Sequence, residues 1–182
     1  MKVASYAAQS ATTPVAPFAA ERRDMRPDDV VIDILFCGVC HSDLHQARND
    51  WGNSKFPMVP GHEIIGRVSA TGAAVTRFKA GDAVGVGCMV DSCQACTSCA
   101  KGLEQYCENG STLTYNDVDR RDKLPTFGGY SERIVVNVHV LYREFAGESD
   151  KPREEADVLH LFSLMRKYRC DRCGGLHGPV TG

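Results

Sequence analysis

GHEIIGRVSATGAAV, residues 61–75, opens with a glycine behind Pro60 and then carries a histidine and a glutamate into an apolar run. The Pro-Gly pair breaks the chain, so Glu63 to Ala70 reads as a strand entered through His62. A lone histidine in a strand-rich domain is more often a satisfied structural residue, and His139, His160 and His177 are read that way. His62 differs because it stands at a strand entry beside a carboxylate, with Cys40 upstream in a segment expected to return to it. Cysteine, histidine, a third ligand and one open position make up a catalytic zinc site.

Upstream, FCGVCHSDLH, residues 36–45, offers competing chemistries. Cys37-x2-Cys40-His41 is the pattern of c-type haem attachment, a possible redox dithiol and a source of metal ligands. The chain has nine cysteines. Its first residues, MKVASYAAQSATTPVAPFAAERR, lack an unbroken apolar run of signal-peptide length, so a cytoplasmic location is expected. Reduced thiols there favour metal binding or catalysis over disulfides and weaken the haem reading.

Downstream, CQACTSCAKGLEQYC places Cys93, Cys96, Cys99 and Cys107 close together. Four thiolates so near in sequence can wrap one tetrahedral ion, and zinc suits four sulfurs in a structural role. An iron–sulfur cluster is the rival, without the C-x2-C-x3-C-P ending that would support it. Four unligated buried cysteines fit poorly in a segment so rich in polar residues. A closed four-cysteine site staples a lobe, because metal-binding free energy becomes folding free energy.

The remaining pattern is mainly β. Val30, Ile32, Ile34 and Phe36 alternate with Asp33 on the other side, Ala80-Gly81-Asp82 signals a turn before a strand at 83–87, and a last strand pair is expected at 130–136 and 138–142 after Gly128-Gly129. Ser42 to Trp51 is the one helical candidate of this part, with Ser42 as its cap. Many short strands with close turns indicate a barrel or sandwich. With 182 residues and 43% hydrophobic composition, one main domain can build its core. A formal net charge of -2, from 21 basic and 23 acidic residues without a dense basic block, gives no electrostatic reason for nucleic acid or an anionic membrane as partner. No transmembrane segment is expected.

GHEIIGRVSATGAAV, at its Gly61, His62, Glu63, Gly66 and Gly72, resembles the signature of the zinc-containing medium-chain alcohol dehydrogenases. CGVCHSDLH, the VPGHE context and the four-cysteine lobe after GDAVGVG agree, and VGVGCMVDSC and FGGYSE resemble the cinnamyl alcohol dehydrogenase branch. The resemblance covers residues 1–141 and implies a GroES-like catalytic barrel with a zinc lobe at 88–110. It implies a catalytic zinc on Cys40 and His62, with Glu63 as an occasional or second-sphere ligand and Asp43 fixing the His62 tautomer, and a structural zinc on Cys93, Cys96, Cys99 and Cys107. Ser42 would take the alcohol proton and relay it toward His45, His41 would approach the cofactor pyrophosphate, and Trp51 would line the substrate pocket. The plainer alternatives are core packing for Trp51 and a solvated helix position for Asp43. Cys37 is expected to be a buried small hydrophobe facing the sheet. The implied activity is NADP-linked oxidation of a small primary alcohol or reduction of an aldehyde, with zinc lowering the pKa of the bound hydroxyl.

Beyond residue 141 the resemblance stops. GESDKPREEA, 147–156, reads as a charged linker; Val158, Leu161, Phe162 and Met165 fall at helical spacing, so 156–169 is predicted to be an amphipathic helix. No G-x-G-x-x-G turn of a Rossmann domain occurs, nor the family's third zinc-ligating cysteine. Cys170-x2-Cys173 with His177 is the alternative ligand set in the tail. The composition shift fits a frameshift, a fusion or a gene-model error. The expectation is a barrel without its cofactor domain and inactive alone, with an apolar face prone to self-association or to pairing with full-length relatives. The competing reading is a non-enzymatic zinc-stabilised binding module.

Overall fold

The computed structural model describes residues 1–143. The linker at 147–156, the helix at 156–169, His160, and the Cys170, Cys173 and His177 set lie outside the described residues.

The protein is built around β-branched strands. β3 (Asp29–Gly38) and β4 (Glu63–Thr71) pair antiparallel at the centre, flanked by β8 (Arg133–Asn137) on one side and by β5 (Ala83–Val86) and β9 (Tyr142–Arg143) on the other. The order is β8-β3-β4-β5-β9. Val30, Ile32, Ile64, Val68, Val84, Val86, Ile134 and Val136 interlock on its inner face, each nearly or wholly buried. Each such side chain contributes roughly 1.5–3 kcal/mol relative to exposure. An N-terminal hairpin of β1 (Lys2–Ala7) and β2 (Ala16–Glu21) packs Ala7, Ala20 and Val59 into a second small core. β6 (Met89–Asp91) and β7 (Thr112–Leu113) form a two-stranded ribbon at the base of the cysteine lobe. The lobe therefore closes through pairing beyond residue 110.

Three local expectations are corrected. The alternation of β3 fails at its end: register shifts at Ile34/Phe36 turn the strand, leaving Phe36 50% exposed while Cys37 packs against the core. Residues 130–142 do not form a hairpin. After β8, Val138–Val140 make a 3-10 turn capped by Asn137, whose side-chain oxygen accepts from the His139 N–H at 3.0 Å, and β9 then pairs with β5 at the opposite edge of the sheet. His139 is exposed on that turn. The helix is α1 (His41–Ala47), and its N-cap is Cys40, not Ser42. The Asp43 carboxylate accepts from the Cys40 N–H at 2.9 Å, closing the first turn early, and Asn49 at φ 58 prevents continuation to Trp51.

Three arginines, Arg22 buried and Arg23 and Arg26 partly so, tie the loops together. Arg22 donates to the carbonyls of Phe127 and Gly128 and to the Ser131 hydroxyl. Arg23 and Arg26 both pair with Asp119, joining the segment before β3 to the loop at 119–122. The strap 128–130 then pairs with 59–61: Gly128 N–H to Val59 O at 2.7 Å, Gly129 N–H to Gly61 O at 2.8 Å, Tyr130 N–H to Pro60 O at 3.0 Å. A Cβ on Gly128 would lie 2.2 Å from the Pro60 carbonyl, which is why a glycine stands there.

Candidate functional site

β3 and β4 run antiparallel with Gly38 opposite Glu63, so the chain leaving β3 through Cys40 and the chain entering β4 through His62 meet at one end of the sheet. Gly61, at φ 101 and in contact range of Cys37 and Tyr130, provides the turn that brings His62 in. One donor atom each from Cys40, His62 and Glu63 lies within 4.8 Å of the others.

Asp43, 3% exposed, is the centre of the frame. Its Oδ1 accepts from the Gly61 N–H at 3.0 Å and faces His62 Nδ1 at 3.3 Å. Its Oδ2 accepts from the Cys40 N–H at 2.9 Å and from the Tyr130 hydroxyl at 3.4 Å. Burial pushes the Asp43 carboxyl up, but His62 and these donors outweigh it and hold the group below its ordinary value. Burial likewise lowers His62, and the Asp43 hydrogen bond and charge reverse this, raising it to about 9. Burial raises the Cys40 thiol, yet the Ser42 N–H and hydroxyl and the charge of His62 bring it down overall. Each group thus lowers the cost of charging the other, with Nδ1 engaged by Asp43. With Nδ1–H on the carboxylate, Nε2 is left as the donor beside the Cys40 sulfur, so the set fits a divalent metal. Cys37, whose thiol burial pushes up to about 12, takes no part in it.

Two contributors escaped the sequence reading. Tyr115, 7% exposed, stacks on the His62 ring at 5.7 Å between centroids. Tyr130 holds the other carboxylate oxygen. Burial, then the Asp43 charge, raises both phenols. Neither has a local spacing signal.

The other residues fall around α1. Ser42 Oγ lies 3.7 Å from Cys40 Sγ. His45 Nδ1 meets Asp50 Oδ2 at 2.8 Å, and its ring centroid lies 5.2 Å from Trp51 and 6.3 Å from His41. Trp51 is 36% exposed, which excludes the core-packing alternative, and His41 is exposed on the first turn.

In the lobe, the four sulfurs of Cys93, Cys96, Cys99 and Cys107 lie within 4.8 Å of one another. N–H donors surround them: Cys93 Sγ accepts from Asn109 Nδ2 and the Cys96 N–H, Cys96 Sγ from the Cys99 and Glu108 N–H groups, and Cys107 Sγ from the Cys93 N–H, all at 3.3–3.5 Å. The Asn109 bond leads the lowering of the Cys93 thiol to about 5, whereas burial raises Cys99 to about 11. This net of amides around sulfur stabilises thiolate and fits a tetrahedral zinc.

No helix among the described residues is long and apolar enough to cross a membrane. Residues 26–144 match the alcohol dehydrogenase GroES-like domain. An NADP-dependent alcohol dehydrogenase C of Mycobacterium bovis is 53% identical over 141 residues, covering 78% of this chain and 40% of that protein. An aldehyde reductase of Escherichia coli is 49% identical over 143 residues, covering 79% of this chain and 41% of that protein. The structure of a cinnamyl alcohol dehydrogenase of Sorghum bicolor superposes with a TM-score of 0.79 at 39% identity, over 92% of this chain and 48% of that one. The chain spans about two fifths of the length of the curated relatives it matches. With its antiparallel sheet, its four-cysteine lobe and its match across the barrel, the chain belongs to the alcohol dehydrogenase GroES-like domain family.

Proposed function

We propose that residues 1–141 form the metal-binding half of a zinc-dependent, NADP-linked alcohol dehydrogenase or aldehyde reductase acting on a small primary alcohol or its aldehyde in the cytoplasm. The observation that carries this reading is the convergence of Cys40, His62 and Glu63 at one end of the sheet, with Asp43 behind the histidine. Cys40, His62 and Glu63 would hold the catalytic zinc, and Cys93, Cys96, Cys99 and Cys107 the structural one. Bound there, zinc would supply the Lewis acidity that lowers the pKa of an alcohol hydroxyl, as needed for hydride transfer to nicotinamide. Ser42, beside Cys40, accepts the alcohol proton and relays it toward His45, whose Nδ1 is held by Asp50. His41, exposed at the start of α1, faces the cofactor pyrophosphate, and Trp51 walls the substrate pocket.

These 182 residues contain no G-x-G-x-x-G turn, so alone they are expected to lack a hydride acceptor site. We expect the purified 182-residue chain to bind one zinc tightly and a second divalent ion more weakly, the second lost in Cys40→Ser and His62→Ala, and to show no NADPH-dependent aldehyde reduction. Retention of the second ion in both variants refutes the ligand assignment; turnover by the chain alone refutes its dependence on a separate cofactor domain.

A second reading, a zinc-stapled module that self-associates or pairs with full-length relatives, is favoured by the apolar end of β3 and the turn after it. There Leu35, Phe36 and Val39 are 53%, 50% and 72% exposed.

A further inference from the structure

The lobe and the histidine centre are joined by a very short path. β7 closes the lobe by pairing Leu113 with Met89 and Thr112 with Asp91. The chain leaves through Thr114, whose N–H donates to the Cys88 carbonyl at 3.0 Å and whose hydroxyl donates to the Gly87 carbonyl at 2.5 Å. The next residue is Tyr115, laid on the His62 ring with 22° between planes. Asn116 then fastens to α1, donating to Gln46 Oε1 at 2.9 Å and accepting from the Lys55 N–H at 2.7 Å. The residue that covers one face of the His62 ring is thus an immediate continuation of the lobe's base.

Besides the neighbouring Cys40, Asp43 at Nδ1 and Tyr115 on its face hold the His62 ring. Asp43 restrains the ring at its Nδ1 edge, and Tyr115 limits its tilt from the face. The ribbon that places Tyr115 pairs over two register positions only, so it adds little stability of its own; Val90 anchors β6 in the main core, and β7 depends on β6 and on the loop between them. A metal that ties Cys93, just after β6, to Cys107, ahead of β7, would brace the loop that joins the two strands.

We propose that Tyr115 is a positioning residue through which the four-cysteine lobe sets the orientation of His62, so that metal in the lobe tightens metal binding at Cys40, His62 and Glu63. The inference rests on the reading above that both clusters bind divalent metal. It makes the lobe more than a staple: its occupancy is transmitted to the second centre through one stacked ring. Partners that orient a ligating histidine from outside typically account for 10- to 100-fold in metal affinity, and Tyr115 is expected at the lower end because Asp43 remains.

The test uses the full 182-residue chain with one equivalent of zinc in the lobe, followed by cobalt(II) titration read from its absorption bands. Tyr115→Leu is expected to bind the second-centre cobalt about 10-fold more weakly, and Tyr115→Phe, which keeps the ring and loses the hydroxyl, about 3-fold, with zinc release from the lobe unchanged in both. In a parallel NMR titration, the first equivalent of zinc moves the His62 imidazole resonance in the wild type but not in Tyr115→Leu, while the Cys107 amide responds in both. Wild-type cobalt affinity in both variants, or an undiminished His62 response in Tyr115→Leu, overturns the proposal. A silent Cys107 amide in the wild type overturns the metal assignment itself, and the proposal with it.

Discussion

Replacing Asp43 by Asn tests the frame of the site in its most exacting form, because the two side chains have the same shape and differ in what they can accept. Asp43 Oδ1 takes the Gly61 N–H at 3.0 Å, and Oδ2 takes the Cys40 N–H at 2.9 Å. Asparagine has one oxygen and one NH2, so whichever way its amide sits, one of these backbone donors meets another donor. The Tyr130 hydroxyl and the His62 ring can adjust by rotation or tautomer; a backbone N–H cannot. One buried, unsatisfied donor costs roughly 1–3 kcal/mol. The surviving bonds lose their charge assistance, adding about 1 kcal/mol. Asp43→Asn is therefore expected to destabilise the zinc-loaded chain by about 2–4 kcal/mol. Urea unfolding followed by circular dichroism reads this as a midpoint lower by about 1–2 M at unchanged slope. Asp33→Asn is the control, since its pair with Arg133 is nearly half exposed and its loss is expected to cost less than about 1 kcal/mol. Equal midpoints for Asp43→Asn and wild type would refute the donor count.

Two further outcomes follow from the same structure. Burial pushes the Asp119 carboxyl up, but hydrogen bonds from Arg26 and from the Arg121 and Asp122 N–H groups bring it down to about 2. Its unfolded value is about 3.9, so the stabilisation, about 2 kcal/mol, is complete above that pH and disappears as pH falls through about 2. The urea midpoints of metal-free wild type and Asp119→Asn should thus differ at pH 6 and converge near pH 2; a constant gap would contradict the assignment. Chelation at neutral pH is expected to loosen the lobe backbone, so that trypsin cuts faster at the already exposed Lys101 while the five-stranded sheet persists, and equal cleavage rates at Lys101 with and without chelator would show that the lobe does not depend on metal.

The sheet was legible where burial follows β-branched residues. Val30 and Ile32, Ile64 to Val68, and Val84 to Val86 carry the core and also the sequence signal. The N-terminal hairpin left no such trace, because β1 buries Val3, Ser5 and Ala7 while exposing Tyr6, and small residues at inward positions show no hydrophobic alternation. The end of β3 misled for a different reason: a register shift changes which side chains face inward without changing the residues. The path after β8 depends on Asn137 capping a 3-10 turn, an interaction between neighbours that period-2 reasoning does not weigh.

The two metal centres differ in the same way. Cys93, Cys96, Cys99 and Cys107 are close enough in sequence to wrap an ion locally, so the spacing that makes the cluster readable is also what makes it a ligand set. Around Cys40 and His62, the donors and the place of Asp43 behind His62 came with the family resemblance, but the rest of the frame was not readable. Asp43 gathers hydrogen bonds from Cys40, Gly61, His62 and Tyr130, and Tyr115 stacks from the lobe. These segments meet only because β3 pairs with β4, because the strap at 128–130 pairs with 59–61, and because β7 leaves the lobe at Thr114. No spacing encodes a partner supplied by another segment. The second centre is therefore a property of the assembled barrel, strap and lobe together, and its geometry responds to any of the three, whereas the four-cysteine cluster depends chiefly on its own loop.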